Sequence, residues 1–233
     1  MPLTRHNPDL FRDKETAPKN VLLMDIHSSA SRDDLLSDLK TIAGALRTSL
    51  FLALGIVVLF LIFRWDAASG NPFSEVGPTE FIQSIALALS AALFFLEARR
   101  RPDMRGGLVL TGGFIGCMLI REQDYFLDAL SHGCWKWPAL ILALSCLAYA
   151  AATFRASVAG LARLARWRHF SVLLVGLAIV LVYSRLFGMN ILWRELLPDS
   201  QWRMAKTAVE ESSELLGYLL IVFSALLLRF EKK

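Results

Sequence analysis

The chain has 233 residues, is 55% hydrophobic with a mean hydropathy of +0.47, and carries a formal charge of +4. Apolar residues gathered into long blocks at this hydropathy exclude an ordinary soluble domain and indicate an all-α, polytopic membrane bundle. Its arginines lie in short segments between the blocks, where they set topology, so the basic balance is not read as nucleic-acid binding.

The opening stretch mixes acids and bases evenly and contains Pro2, Pro8 and Pro18, which predicts a mobile cytoplasmic tail. Ser31 and Asp34 then form a capping-box pattern, and Leu35, Leu39, Ile42 and Leu46 recur at helical spacing. The pattern predicts an amphipathic helix running into the first span, a surface-lying or packing helix first and, as the alternative, one whose face docks a cytoplasmic partner. The expected division is residues 1–46, tail and amphipathic helix, and 47–233, a six-helix transmembrane domain. A cleaved signal peptide is not expected, because the first apolar block begins only near Thr48.

Six blocks are long enough to span: about 48–64, 80–97, 106–130, 137–154, 170–188 and 207–229. Arg99, Arg100, Arg101 and Arg105 follow the second block, Arg155, Arg163, Arg166 and Arg168 the fourth, and Arg229, Lys232 and Lys233 the sixth. The positive-inside rule places these segments and both termini in the cytoplasm, and the pattern fits a bacterial inner membrane. Arg194, Arg203 and Lys206 in the fifth connection run against the rule. Trp65, Trp135, Trp137, Trp193 and Trp202 gather around the outer connections, where indole rings anchor at headgroup level. Cys117, Cys134 and Cys146 are odd in number and lack CxxC spacing, so they indicate neither a disulfide framework nor a thiolate metal site.

Counted inward from the basic boundary, Gln83, Glu122, Arg185 and Glu214 each fall roughly 22–26 Å along their helices at about 1.5 Å per residue. That level is toward the outer edge of a hydrocarbon core about 30 Å thick, with Glu80, Asp124, Asp128, His132, Glu210 and Glu211 slightly farther out. Thr207, Glu210, Glu211, Glu214 and Tyr218 share an arc of roughly 100° on the last block. Burying ionised groups at membrane depth costs at least about 2.5 kcal/mol each, so such residues mark a partner charge, a bound cation or a reaction. The carboxylates outnumber Arg121 and Arg185, which leaves several to be protonated, hydrated or bound to a cation.

If the third helix continues past Glu122, then Arg121, Asp124, Asp128 and His132 share a stripe. Oxygen ligands with one imidazole suit a divalent metal, and Glu210, Glu214, Asp124, Asp128 and His132 are the candidate ligands. Glu211, Glu214 and Asp128 are the candidate catalytic acid–base groups. Glu80, Gln83, Arg121, Glu122, Arg185 and Tyr218 complete the expected pocket. His6, His27 and His169 are on the expected cytoplasmic side and cannot join it. The plainer alternative is that Arg185 and Lys206 neutralise the glutamates of the last span for assembly.

The Glu210–Glu211 pair resembles the paired glutamates of CAAX-protease-like membrane proteins. The arginine expected shortly after is absent and Glu214 intervenes, so no role is carried over. The expected function is a metal-assisted hydrolase or transferase acting on a lipid or lipid-linked headgroup, with membrane lipids, and a second copy of the chain, as partners. A cation or proton transporter or channel is the first alternative, and a non-catalytic subunit with a structural ion-pair network the second.

Overall fold

The computed structural model describes residues 18–69, 77–129, 131–198 and 201–231, with side chains from residue 34 onward. Among them there is no strand. The helices are α1 (Pro18–Ala67), α2 (Pro78–Arg100), α3 (Arg105–Glu122), α4 (Asp124–Asp128), α5 (Lys136–Ala152), α6 (Phe154–Ala165), α7 (Phe170–Ala178), α8 (Ser184–Phe187), α9 (Asn190–Leu196) and α10 (Trp202–Phe230). A π-helical turn, Ile179–Tyr183, joins α7 to α8. The expected tail with Pro2, Pro8 and His6 lies outside the described residues, as do the side chains of His27 and Ser31 and the terminal Lys232 and Lys233.

The chain divides into two compact units, residues 1–53 and 54–233, with the division inside α1. In the first unit the helix starts at Pro18, so position 31 is mid-helix and no helix begins at the capping-box pattern. Leu35, Leu39, Ile42 and Leu46 are all exposed there, and no residue from 34 to 53 is buried.

In the second unit, α2, α3, α7 and α10 surround a core of Leu87, Phe94, Leu108, Ile115, Leu173, Tyr218, Ile221 and Leu228. Gln83 of α2 meets Glu211 of α10 near one end, and Arg101 after α2 meets Leu228 near the other. These contacts are 18 residues apart on α2 and 17 on α10, so the two helices run side by side in one direction for about 27 Å at about 1.5 Å per residue. The α3 helix returns antiparallel to α2, tied by Gln123 to Ser84 at 2.6 Å and by Arg105 to the Ala98 carbonyl at 3.1 Å. One end of this group is acidic and the other rich in arginine. The α7 and α10 helices cross where Gly176 and Gly217 meet: a Cβ at Gly217 would lie 2.9 Å from the Gly176 carbonyl oxygen, so only small residues permit the approach.

Four helices are long and apolar enough to cross a membrane, Asp34–Ala67, Pro78–Arg100, Phe170–Phe187 and Trp202–Phe230, or five if the bent pair of α5 and α6 makes one span. The expected third span, residues 106–130, is instead divided at Gln123 into α3 and α4. Arg105, Arg121 and Glu122 stand at the ends of α3, and its last turn is closed by the Gln123 amide on the Ile120 carbonyl. The fourth block ends at Thr153, whose hydroxyl hydrogen-bonds the Tyr149 carbonyl at 2.8 Å and lies 2.9 Å from the Ser157 hydroxyl. Here the chain turns by 106° into α6.

Candidate functional site

The acidic end is assembled from α2, α3, α8 and α10. On α10, Glu210, Glu214 and Tyr218 follow one another at i, i+4 and i+8, and Glu211 stands beside them on the turn facing α2. The π-helical turn adds a residue to the preceding helix, shifting the phase of the residues after it, and directs Ser184 and Arg185 at α10. Its geometry is supported by the Ser184 hydroxyl donating to the Val180 carbonyl at 2.6 Å.

Arg185 is the shared cation of this end. One of its terminal nitrogens donates to Glu214 and the other to Glu210 at 3.3 Å. Glu210 is held a second time by Lys206, at 3.3 Å, and the Ser184 hydroxyl, whose one proton goes mainly to the Val180 carbonyl, lies 3.3 Å from Glu214. Glu214 is buried, whereas Arg185 keeps 43% of its side chain exposed at the rim. On the α3 side, buried Tyr218 donates its hydroxyl to Glu122 at 2.8 Å, and Arg121 reaches the same carboxylate at 3.5 Å. A hydrogen bond to a charged group is worth about 1.5–3 kcal/mol in water-soluble proteins and less between membrane helices, where cycles average about 0.6 kcal/mol.

Glu211 is different. Its carboxylate accepts from the Gln83 amide nitrogen at 2.9 Å, and that nitrogen also lies 3.4 Å from the Glu211 carbonyl oxygen. These two acceptors fix which end of the amide is which. The other end, Gln83 Oε1, is then buried and without a hydrogen-bond partner among the described residues. No cation pairs with Glu211 there either, and the acids Glu80, Glu122, Glu210 and Glu214 are among its charged neighbours.

The expected metal ligands do not form one shell. Asp128 and His132 pair at 3.4 Å in the turn after α4, where Asp128 also accepts from the Gly133 amide at 2.9 Å. Gly133 has φ of 77°, a conformation that suits glycine, but the expected stripe of Arg121, Asp124, Asp128 and His132 is broken earlier, at Gln123, where α3 ends and α4 begins. His132 and Asp124 are exposed. Among the described residues no three His, Cys, Asp or Glu side chains are arranged to hold a metal ion.

The cations that ran against the topology rule are accounted for locally. The guanidinium groups of Arg194 and Arg203 sit 5.0 and 5.3 Å from the ring centre of buried Trp202, and Lys206 is on Glu210. Trp65 and Trp137 remain exposed, and the Trp193 indole donates to the Phe187 carbonyl at 2.5 Å.

Beside the network is an apolar groove of about 430 Å³, lined by Ile56, Leu59, Phe60 and Phe63 of α1, Ile179 and Tyr183 of the π turn, and Ser212, Ser213, Leu215 and Leu216 of α10. The π turn and α10 thus border both the groove and the acids. Sequence reading missed this groove, the π turn and Ser184, because residues 172–182 are apolar on every side and a shift of phase within them leaves no polar residue to report it. Asp66 was missed too: it is fully buried at the end of α1 and accepts from the Thr79 amide at 3.0 Å, completing the start of α2. Comparison with protein-family models, with curated proteins and with solved structures finds no match to this chain.

Proposed function

We propose that the acidic end binds a lipid or lipid-linked headgroup, and that the protein is a membrane-embedded hydrolase or transferase acting on it. The observation that carries this reading is the Gln83–Glu211 pair, a cation-free carboxylate beside a buried, unpartnered amide oxygen. A water molecule donating one hydrogen to Gln83 Oε1 would stand within reach of Glu211 as general base for its other hydrogen, and an unmet buried acceptor costs about 1–3 kcal/mol, which such a donor removes. Arg185 and Arg121, both partly exposed, supply positive charge for a phosphate or a developing oxyanion. The neighbouring groove suits an acyl or polyprenyl chain.

In this reading α3, packed between α2 and the α5–α6 pair, is a sixth crossing despite its charged ends, and the arginine-rich end faces the cytoplasm of a bacterial inner membrane. The exposed stripe of Leu35, Leu39, Ile42 and Leu46 is the face for a cytoplasmic partner or a second copy. One observation favours a non-catalytic subunit instead: Glu122, Glu210 and Glu214 each have a cationic partner.

The two readings part on lipid turnover. The full chain in nanodiscs, given phosphatidylglycerol, phosphatidylethanolamine and a polyprenyl-phosphate sugar in turn, is expected to convert one of them. Mass spectrometry of the extracted lipid should show that product with the native chain and at least about a hundredfold less with Glu211→Gln, the range that a general base contributes. Identical lipid profiles across native and variant chains, with both folded, would end the enzymatic reading and leave the structural one.

A further inference from the structure

Apart from the acidic end, the molecule has a helix with three distinct faces. Ser157, Gly160 and Leu164 of α6 are buried, and Gly160 abuts the chain at Met104, Gly106 and Gly107, where a Cβ on Gly160 would lie 3.2–3.3 Å from backbone atoms. Phe154, Val158, Leu161 and Ala165, at i, i+4, i+7 and i+11, form a second, exposed apolar face. Arg155, Arg163 and Arg166 lie on the third. Arg163 donates to the Asp103 carbonyl at 2.9 Å, which leaves Arg155 and Arg166 exposed and without an ionic or hydrogen-bond partner among the described residues.

We infer that α6 lies in the plane of the bilayer surface and binds anionic phospholipid, its apolar face against acyl chains and Arg155 and Arg166 on headgroup phosphates. Two independent features support a lipid leaflet as the occupant. The 106° turn at Thr153 sets α6 across the direction of α5, so where α5 runs along the membrane normal α6 lies nearly flat. Along this helix the apolar and basic faces are adjacent, which is the arrangement an acyl–headgroup boundary demands and an acidic protein surface does not. Topology alone calls for arginine somewhere in this segment, but not for a stripe of exposed Phe154, Val158 and Leu161 beside it.

The test uses the full chain in nanodiscs of phosphatidylcholine with and without phosphatidylglycerol. Native mass spectrometry is expected to show phosphatidylglycerol retained over phosphatidylcholine, and the preference to fall by about tenfold in the Arg155→Gln/Arg166→Gln variant. Both positions are exposed, so the variant is expected to elute as the native chain does. In parallel, Val158→Cys should react with a membrane-impermeant maleimide far more slowly than Ala159→Cys on the basic side, measured over the background of the native cysteines. An unchanged lipid preference in the double variant would assign the arginines to topology alone and overturn the inference. So would equal labelling at positions 158 and 159, or protection of position 158 that tracks protein concentration in pure phosphatidylcholine, the sign of a second copy on this face.

Discussion

At the arginine-rich end, Glu97 is surrounded by Arg100, Arg101 and Arg229 at 3.1–3.6 Å, while at the acidic end one guanidinium, Arg185, serves both Glu210 and Glu214, and Glu211 is left to neutral Gln83. The first cluster also closes helix termini: Arg101 donates to the Leu228 carbonyl at 2.6 Å and pairs with Glu231 at 3.3 Å, satisfying the last turn of α10. Cations are in excess where the helices are tied off, and acids are in excess beside an open groove. On the proposed function, the difference separates a staple from a site. A staple needs every charge answered, whereas chemistry needs one group left able to change its proton.

The largest expected effect therefore belongs to the staple. Arg101→Ala removes the nearest of the three guanidinium groups on Glu97, which is only 3% exposed, and frees the end of α10. Arg100 and Arg229 stay on Glu97, so the expected loss is that of the two charge-assisted bonds Arg101 makes, about 3 kcal/mol. Thermal unfolding in detergent should show a large drop in midpoint, with loss of monodisperse protein. If Arg101→Ala melts like the native chain, the arginine-rich end is not a staple and the comparison fails.

Neutralising one carboxylate at each end sharpens the contrast. Glu97→Gln is expected to destabilise by about 2 kcal/mol, since it removes charge-assisted bonds from the largely buried Arg101. Glu214→Gln is expected to cost under about 1 kcal/mol, because Arg185 keeps Glu210 and is half-hydrated. Its effect should fall on lipid turnover. Equal melting losses at the two positions, with turnover intact in Glu214→Gln, would make both ends structural.

Much of this contrast was legible in the chain. Equal helix depth put Gln83, Glu122, Arg185 and Glu214 on one level before any contact was known, because helix rise is nearly constant and basic boundaries mark the starting point. Pairing within the level was not legible. Which acid Arg185 answers depends on the phase shift of the Ile179–Tyr183 turn, and which acid stays cation-free depends on the neighbour α2 presents at Gln83. Glu97 was hidden for another reason: in sequence it is one acid before a run of arginines, indistinguishable from a solvated helix end. Only packing against α10 brings Arg229 to it. The third block, 106–130, reads as one span in the sequence, whereas the structure ends α3 at Glu122 with charges at both its ends, so it is not among the four or five helices long and apolar enough to cross. Its place among α2, α5 and α6 comes from close approach at its glycines.

A smaller effect is expected within the acidic end, where α10 meets α3. Tyr218→Phe deletes the hydroxyl that joins α10 to Glu122 of α3 while keeping the ring in the core, so stability should fall by about 0.6–2 kcal/mol. A Glu122→Gln/Tyr218→Phe double variant should lose less than the sum of the singles, the signature of a direct contact. Strict additivity would separate the two residues and detach α3 from the acidic network.

The smallest effect probes the cation excess at the arginine-rich end. His169 precedes α7, its ring edge-on to Trp167 at 5.4 Å, and burial together with the neighbouring Arg168 holds its pKa below the usual 6.5, opposed by Glu231. The folded chain then binds fewer protons than the unfolded chain just below pH 6.5, so stability is present above that pH and is lost as pH falls through it. His169→Gln should flatten the dependence of the melting midpoint between about pH 5 and 7, with little change at pH 8. Were the native chain instead to gain stability on acidification in this window, and the variant to lose that gain, the ring would be answering an acid, and the surplus of positive charge assigned to this end would be wrong where it matters most, at the turn leading into the helix that carries Arg185.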